Sequence, residues 1–365
     1  MRVVTRPAPH IRDAFNLAAA LRWQLIALAP CVAMALYNTG LQANLTLERL
    51  KLEVAPGWRG DVIQALGVGL DPLSFVAAVI HGALYFLPIL ITVGVTGAFW
   101  SWAFATARHR PPGQGLAVLV LLFALVLPPA LPLWQAALGI SFGLVVGREI
   151  FGGIGKNVLN PVLVGVAFLY VTYPAQMTIE SSWVMVDAFS EPTYLSLGAL
   201  QRPEALAWVA TPWELSFLGL VPGAFGTTST VACILGAGVL LYTRTASARV
   251  ITGVLLGMVL TSILSNNLPG DAYFSLSFHW HLTLGSFAFG AVFLATDQTT
   301  SAMTDTGRWI YGFLIGALVV LFRVANGHHP DGVMFAILMG NIAAPLIDSL
   351  VVRANIRRRA RRHVD

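Results

Sequence analysis

The chain has 365 residues, of which 56% are hydrophobic and only 11% are charged, and its formal net charge is +5. A soluble domain carries about a quarter charged residues, so this composition excludes a soluble enzyme and predicts a surface that faces lipid. The 22 Lys and Arg residues lie almost wholly outside the apolar segments. We predict no nucleic-acid binding, because a basic tail directly after the last membrane helix more often orients and anchors a membrane protein.

Ten apolar segments that could form membrane helices follow one another along the chain. A helix needs about 17–25 mostly apolar residues to cross the hydrocarbon core, because unpaired backbone amides are costly there. The segments are Leu21–Tyr37, Leu84–Thr106, Leu116–Ala130, Leu133–Gly147, Pro161–Tyr173, Thr227–Tyr242, Val250–Leu264, Leu282–Ala295, Trp309–Val324 and Gly332–Val352. Several are short, so we expect tilted or broken helices in an all-α integral membrane protein of about ten transmembrane helices.

The distribution of positive charge orients these helices. With segment 1–20 placed in the cytoplasm, sixteen Lys and Arg lie inside and four outside, as the positive-inside rule requires. An even number of helices then places both termini in the cytoplasm. The membrane domain 21–352 has two long outer loops, residues 38–80 and 174–226. We expect the basic cytoplasmic tail 353–365 to act as an orientation signal and to anchor on anionic membrane lipid.

A glycine-rich loop from Gly147 to Pro161 connects two predicted helices on the cytoplasmic side. It contains four glycines and the polar residues Lys156, Asn157 and Asn160. Glycine lets a ligand approach the backbone closely, and each asparagine can donate and accept hydrogen bonds toward a planar heterocycle. A tight turn with an asparagine cap and a proline at the first helical position explains the same residues. Both interpretations stay open.

A second glycine-rich turn, from Pro222 to Thr230, precedes the sixth predicted helix. Thr227 and Thr228 place hydroxyl groups where free amides and the helix dipole favour an anion. Helix capping alone also accounts for these hydroxyl groups. Asp187, Ser190 and Thr193 lie in the preceding outer loop, on the same side of the membrane, and favour a ligand site there.

Three acidic residues lie near the cytoplasmic ends of predicted helices, where a cation could enter or leave the bilayer. These are Glu149, Asp297 and Asp348. Ionisable groups at such depth are costly and indicate function, although pairing with a nearby arginine explains them equally well. Cys31 and Cys233 lie singly in predicted helices without a metal-ligand spacing, so we predict no metal site. No residue is identified as catalytic.

Several stretches resemble one known family. They include Leu131–Gly143, Glu149–Pro161, Ala295–Asp297 and Ala344–Asp348. Over nearly the whole chain from about His10, the sequence is similar to the NqrB/RnfD family of B subunits of sodium-translocating NADH:quinone reductases and D subunits of Rnf complexes. The resemblance implies a multi-pass subunit of the bacterial inner membrane that acts only within a multi-subunit NADH:quinone oxidoreductase and couples electron transfer to Na+ transport.

The resemblance also implies two flavins and a quinone. In the family, FMN is attached to a threonine in an Asp-x-x-Ser-Gly-Ala-Thr motif, whose match here is Asp187–Thr193, with Thr193 as the acceptor. Thr227 and Thr228 would lie near this FMN. The region of Lys156, Asn157 and Asn160 would bind riboflavin, and Gly139 would border the quinone. Glu149, Asp297 and Asp348 would lie along the cation path.

The sequence departs from the family motif at the FMN site. Glu191 and Pro192 replace its Gly-Ala pair; a proline stiffens the segment, and a glutamate repels the FMN phosphate. Gly226–Thr227 and Val166 are further departures. An alternative therefore remains beside the redox subunit, namely a divergent family member without covalent FMN that acts as a non-redox transporter or structural subunit of a membrane complex.

Overall fold

The computed structural model describes residues 16–52, 54–109, 113–177, 184–186, 189–190, 212–267, 277–325 and 331–361. The first half of the chain forms α1 (Leu17–Arg49), α2 (Trp58–Ala65), α3 (Phe75–Ala107), α4 (Leu116–Val126), α5 (Leu133–Leu144), α6 (Pro161–Thr172) and α7 (Pro174–Met177). The second half forms α8 (Trp213–Leu218), α9 (Thr230–Tyr242), α10 (Ala248–Asn266), α11 (Phe278–Thr283), α12 (Phe287–Phe289), α13 (Asp305–Ala325) and α14 (Val333–Arg361).

The described helices confirm a helical membrane protein. Five of them, α1, α3, α10, α13 and α14, are long and apolar enough to cross a membrane, and α4, α6 and α9 are shorter apolar helices. The fourth and eighth predicted spans are composite. In the fourth, α5 continues into a π-helical turn at Val145–Glu149, and in the eighth, α11 and α12 lead into a second π-helical turn at Gly290–Leu294. The count of ten spans stays a prediction.

A two-stranded hairpin lies within the predicted outer loop 174–226. Strand β1 (Val184–Val186) pairs antiparallel with β2 (Phe189–Ser190). Both strands contain the β-branched or aromatic residues that favour extended backbone. In the described part of the chain, these are the only strands, and the other regular elements are helices.

Helices α1 and α3 extend well beyond the apolar segments that predicted them. The polar residues that ended the first predicted span are buried inside the protein: Asn38 Nδ2 donates to Val221 O at 2.9 Å, and Asn44 Oδ1 lies 2.7 Å from His81 Nδ1 on α3. Hydropathy indicates where a helix leaves the hydrocarbon and not where the helix ends. Helices α1 and α3 continue beyond that point because they pack against each other. Residues 38–49 and 75–80 are thus helical parts of the predicted outer loop.

The last helix also passes its predicted end. Helix α14 continues from the apolar segment through the arginine-rich tail to Arg361. Arginine is a good helix former, so nothing in the local sequence stops the helix at the membrane surface. The basic side chains that are exposed along this extension are Arg353, Arg357, Arg358, Arg359 and Arg361.

Small residues allow very close helix contacts. A Cβ atom added at Gly316 on α13 would overlap Val254 O on α10, and one at Gly257 on α10 would overlap Phe313 O. Membrane helices associate through such close packing because lipid provides no hydrophobic drive between them. This contact fixes α10 against α13, and α14 also packs on α13.

Helix α4 ends inside the protein and not at a membrane surface. The carbonyl groups around its last turn accept hydrogen bonds from the loop before α9: Gly226 N donates to Leu125 O at 2.7 Å, and Phe225 N donates to Leu127 O at 3.3 Å. Backbone groups buried away from water need such partners. The glycine-rich turn of residues 222–230 therefore completes the end of α4.

Candidate functional site

A pocket lies where the predicted cytoplasmic ends of α1, α4 and α6 meet the loop after the second π-helical turn. Its volume is about 800 Å³, which includes open solvent at its mouth. It is lined by Leu17, Ala20, Leu21, Gln24, Gln114, Gly115, Val118, Leu119, Leu122, Arg148, Ile154, Asn157, Asn160, Pro161, Val162, Phe293, Asp297, Gln298 and Thr299.

Both π-helical turns contribute a side chain to this pocket. Arg148 comes from the first turn and Phe293 from the second. A π turn inserts an extra residue into a helix and often marks a functional site. Sequence reasoning missed both turns. One signal could have found them: the stretches Leu138–Gly143 and Leu284–Gly290 both begin with Leu-Gly and end with Phe-Gly, and each lies at or just before one of the turns.

Asn157 and Asn160, which the sequence offered as candidates for a ligand site, both line the pocket. Both are buried. Asn160 also caps α6, because its Oδ1 accepts from Val162 N at 3.0 Å and Pro161 occupies the first helical position. The cap and the pocket wall are thus two roles of one residue. Lys156 is exposed and packs beside Gly152, outside the pocket lining.

Asn157 connects the glycine-rich loop to the loop that follows the second π-helical turn. Its Oδ1 accepts from Gly155 N at 3.2 Å, and its Nδ2 donates to Leu159 O at 3.1 Å and to Thr299 Oγ1 at 3.3 Å. These bonds fix the orientation of the amide in the pocket wall. The contact with Thr299 brings together two segments that the sequence left unrelated.

Asp297 also lies in the wall of the pocket. Its carboxylate accepts from Thr299 N at 3.1 Å, from Thr299 Oγ1 at 3.0 Å and from Thr300 Oγ1 at 3.2 Å. Burial raises the pKa of Asp297, and these hydrogen bonds oppose the rise. A carboxyl group in this position can hold a proton or stabilise a cation beside the pocket.

Glu149 is buried between two arginines. Its Oε2 lies 2.7 Å from Arg108 Nη1, and its Oε1 lies 2.8 Å from Arg148 Nε. The geometry matches the arginine pairing that the sequence left open as an alternative to a cation path. The three side chains together carry a net formal charge of +1 at the end of the pocket.

Asp348 lies away from the pocket. It accepts from Met303 N at 2.7 Å, from Thr304 N at 3.0 Å and from Thr304 Oγ1 at 2.5 Å. Both carboxylate oxygens are therefore used to attach α14 to the loop before α13. A place on a cation path stays a prediction for this residue.

Gly139 lies at a close contact between α5 and α6. A Cβ atom there would lie 2.6 Å from Leu169 Cδ1 and 2.9 Å from the Phe123 ring. The structure thus gives Gly139 a packing role, and the adjacent quinone remains a prediction.

On the side predicted as outer, the structure describes only part of the expected FMN site. Asp187 and Thr193 lie outside the described residues, and of Ser190 only the backbone in β2 is described. Thr227 and Thr228 are buried, and Thr228 Oγ1 has no hydrogen-bond partner within the described residues. The cap of α9 is Ser229, whose Oγ accepts from Ala232 N at 3.2 Å, so capping does not explain the two threonines.

The two cysteines, which the sequence placed singly in separate helices, meet in the core. Cys31 on α1 and Cys233 on α9 are both buried, free thiols, and they belong to the same hydrophobic cluster. In the described parts of the chain, no group of three or more His, Cys, Asp or Glu residues is placed to hold a metal ion.

The chemistry of the pocket fits a flavin ring. The apolar walls for a flat heterocycle come from Leu21, Val118, Leu119, Leu122 and Phe293. The donors and acceptors for a polar edge come from the amide side chains of Gln24, Gln114, Asn157 and Gln298. Small-molecule sites commonly combine such apolar walls with a few convergent polar groups.

Comparison with known proteins identifies relatives over nearly the whole length. The sequence model of the NQR2, RnfD, RnfE family matches residues 4–357. The chain is 46% identical over 364 residues to the B subunit of the Na+-translocating NADH-quinone reductase from Pseudomonas paraeruginosa, in an alignment that covers 99% of this chain and 90% of that protein. It is 44% and 45% identical to the proteins of the same name from Azotobacter vinelandii (99% and 90% covered) and Klebsiella pneumoniae (98% and 90% covered).

Proposed function

The chain belongs to the NQR2, RnfD, RnfE family, and from this premise we propose that it is the membrane-embedded B subunit of a Na+-translocating NADH:quinone reductase. It carries electrons through flavins toward quinone and acts only within the assembled complex. One observation carries the proposal: residues that the family resemblance assigned to a flavin and to a cation, Asn157, Asn160 and Asp297, converge on one pocket. They come from segments that are distant along the chain.

The pocket is the proposed site of the noncovalent flavin, riboflavin. A bound flavin supplies the transfer of one or two electrons. The apolar walls from α1 and α4 exclude water from the ring, and the fixed amide of Asn157 orients its polar edge. Asn160 holds the start of α6 in place beside it.

Coupling to cation movement is proposed to act through charge. Asp297 lines the same pocket, so any change of charge there alters the free energy of a proton or Na+ at its carboxylate. Glu149 and Asp348 extend the proposed path along the cytoplasmic side. Quinone is proposed to bind near Gly139, beside the contact between α5 and α6.

The covalent FMN is proposed to be attached to Thr193 on the outer side. Asp187 and Ser190 accompany it in the motif, and Thr228, whose buried hydroxyl has no partner among the described residues, lies in the turn that follows this loop. In this orientation ten spans place both termini in the cytoplasm of a bacterial inner membrane. Other subunits of the complex then supply NADH oxidation and the remaining carriers.

The test separates the two flavins. The complex is expressed with its flavin transferase, denatured, and its gel bands are examined for flavin fluorescence; acid extraction then measures noncovalent flavin. We expect covalent fluorescence in the wild-type subunit and none in Thr193→Ala, with riboflavin released from both. Absence of both flavins from the wild-type subunit would refute the proposal.

A second function is favoured by Glu191 and Pro192 in the flavin motif. A subunit without covalent FMN would act as a non-redox transporter or structural component of a membrane complex. The double variant Glu191→Gly with Pro192→Ala, which restores the Gly-Ala pair of the family motif, distinguishes the two functions. Covalent flavin rises from zero in this variant only if the natural motif blocks attachment.

A further inference from the structure

One end of the pocket is positively charged. Arg148 is only 3% exposed, and its Nε donates to Glu149 Oε1 at 2.8 Å. Its terminal nitrogens have no hydrogen-bond partner among the described residues, and the side chain lines the pocket. A Cβ atom added at Gly113 would lie 3.7 Å from Arg148 Nη2. The guanidinium group therefore lies beside the residues that lead into α4.

The first turn of α4 contributes to the same end of the pocket. Gly115 is its N-cap residue, and a glycine has no side chain that could cap the free amides of the turn. Gly115, Val118 and Leu119 all line the pocket. The amides and the dipole at a helix N-terminus attract negative charge. Helix α6 also begins at the pocket, but Asn160 caps it and Pro161 has no amide hydrogen to offer.

The charges at this end of the pocket, those of Arg108, Arg148 and Glu149, do not cancel. Arg108 and Arg148 share the single carboxylate of Glu149, which leaves one positive charge in a mostly buried cluster. Asp297, elsewhere in the pocket wall, is already engaged by Thr299 and Thr300. Charges act more strongly in such surroundings than in water. A neutral ligand gains little from this arrangement, whereas an anionic group gains directly.

We infer that Arg148 and the first turn of α4 form a subsite for an anionic oxygen of the flavin; this inference rests on the proposed function. Two parts of a flavin could supply that oxygen. One is the pyrimidine edge of the ring, where negative charge grows when the flavin is reduced. The other is the phosphate of FMN. In either case Arg148 makes the pocket favour a ligand with negative charge at this end.

The experiment uses the purified complex and compares Arg148→Gln, which removes the charge, with Arg148→Lys, which keeps it. Arg249→Gln is the matched control, because Arg249 is an exposed arginine outside the pocket lining. The readouts are the affinities for added riboflavin and FMN and the midpoint potential of the noncovalent flavin. In Arg148→Gln we expect reduced flavin to lose about tenfold in affinity relative to oxidised flavin, a fall of about 30 mV for a two-electron couple.

Glu149→Gln supplies a test of opposite sign if Arg148→Gln fails to assemble. Removing this carboxylate makes the pocket end more positive, so the midpoint potential must rise. Equal weakening of riboflavin and FMN binding in Arg148→Gln assigns the oxygen to the ring, and weakening of FMN alone assigns it to the phosphate. Unchanged affinities and potentials in both variants overturn the subsite. A wild-type complex without extractable noncovalent flavin overturns the proposed function instead.

Discussion

Replacing Arg323 with methionine should destabilise the eighth predicted span, in which residues 284–286 form a break between α11 and α12. This buried arginine on α13 donates to His281 O and Leu284 O, both at 2.7 Å, and so satisfies carbonyl groups at the end of α11. Asp331 lies 3.9 Å from its Nη2 and accepts from Ser286 N at 3.0 Å, at the start of the next helical piece. The pair therefore connects the two sides of the break.

The magnitude follows from the groups left without partners. Each buried carbonyl that loses its donor costs about 1–3 kcal/mol, so the two together cost about 2–6 kcal/mol. The contact with Asp331 adds little, because it is long and the carboxylate is partly exposed. At about 1.3 °C per kcal/mol for a chain of this size, the melting temperature should fall by about 3–8 °C.

The assay uses the chain's own thiols. Cys31 and Cys233 are both buried and free, so a maleimide dye that fluoresces on reaction reports unfolding of the detergent-solubilised protein during a thermal ramp. Arg249→Met is the matched control, because its ion pair with Asp305 is exposed and worth at most about 1 kcal/mol. Equal melting temperatures for Arg323→Met and Arg249→Met would show that the carbonyl bonds do not hold the break together.

Three further predictions concern packing, anchoring and pH. Gly316→Leu should prevent α13 from packing on α10, because the leucine side chain would overlap Val254 O. The same dye assay should then show thiol exposure at a lower temperature or no folded protein. As a control, Gly238→Ala should be tolerated, because Gly238 is exposed and has open space around it. Asp348→Asn should lower stability by about 1–3 kcal/mol, because an amide nitrogen replaces one of the oxygens that accept from Met303 and Thr304; proteolysis of the loop before α13 should increase, and no increase would refute the anchoring role. Burial raises the pKa of Asp297 above its value in the unfolded chain, so wild-type stability should fall as the pH rises from the unfolded pKa through the raised folded pKa. The variant Asp297→Asn should not show this fall. Parallel profiles of stability against pH for the two proteins would contradict the prediction.

Part of the site was predictable from the sequence. The glycine-rich loop indicated Asn157 and Asn160, and acidic residues at helix ends indicated Asp297; the structure brings all three to one pocket. The same pattern indicated Glu149 and Asp348. In the structure, Glu149 pairs with two arginines, and Asp348 accepts hydrogen bonds from the loop before α13. A sequence shows that a carboxylate is near a helix end and does not show what reaches it.

The sequence determined the helical membrane architecture, because hydrocarbon demands long apolar segments whose backbone bonds are internal, and composition alone reveals such segments. Only the tertiary structure decided where helices end or break. Helix α1 continues past Asn38 and Asn44 because both side chains find partners inside the protein. Asn38 bonds to the loop before α9, and Asn44 contacts His81 on α3. Arg148 enters the pocket from a π turn, and Cys31 meets Cys233 because α1 packs on α9. These outcomes depend on partners distant in the chain, and no local pattern specifies such partners.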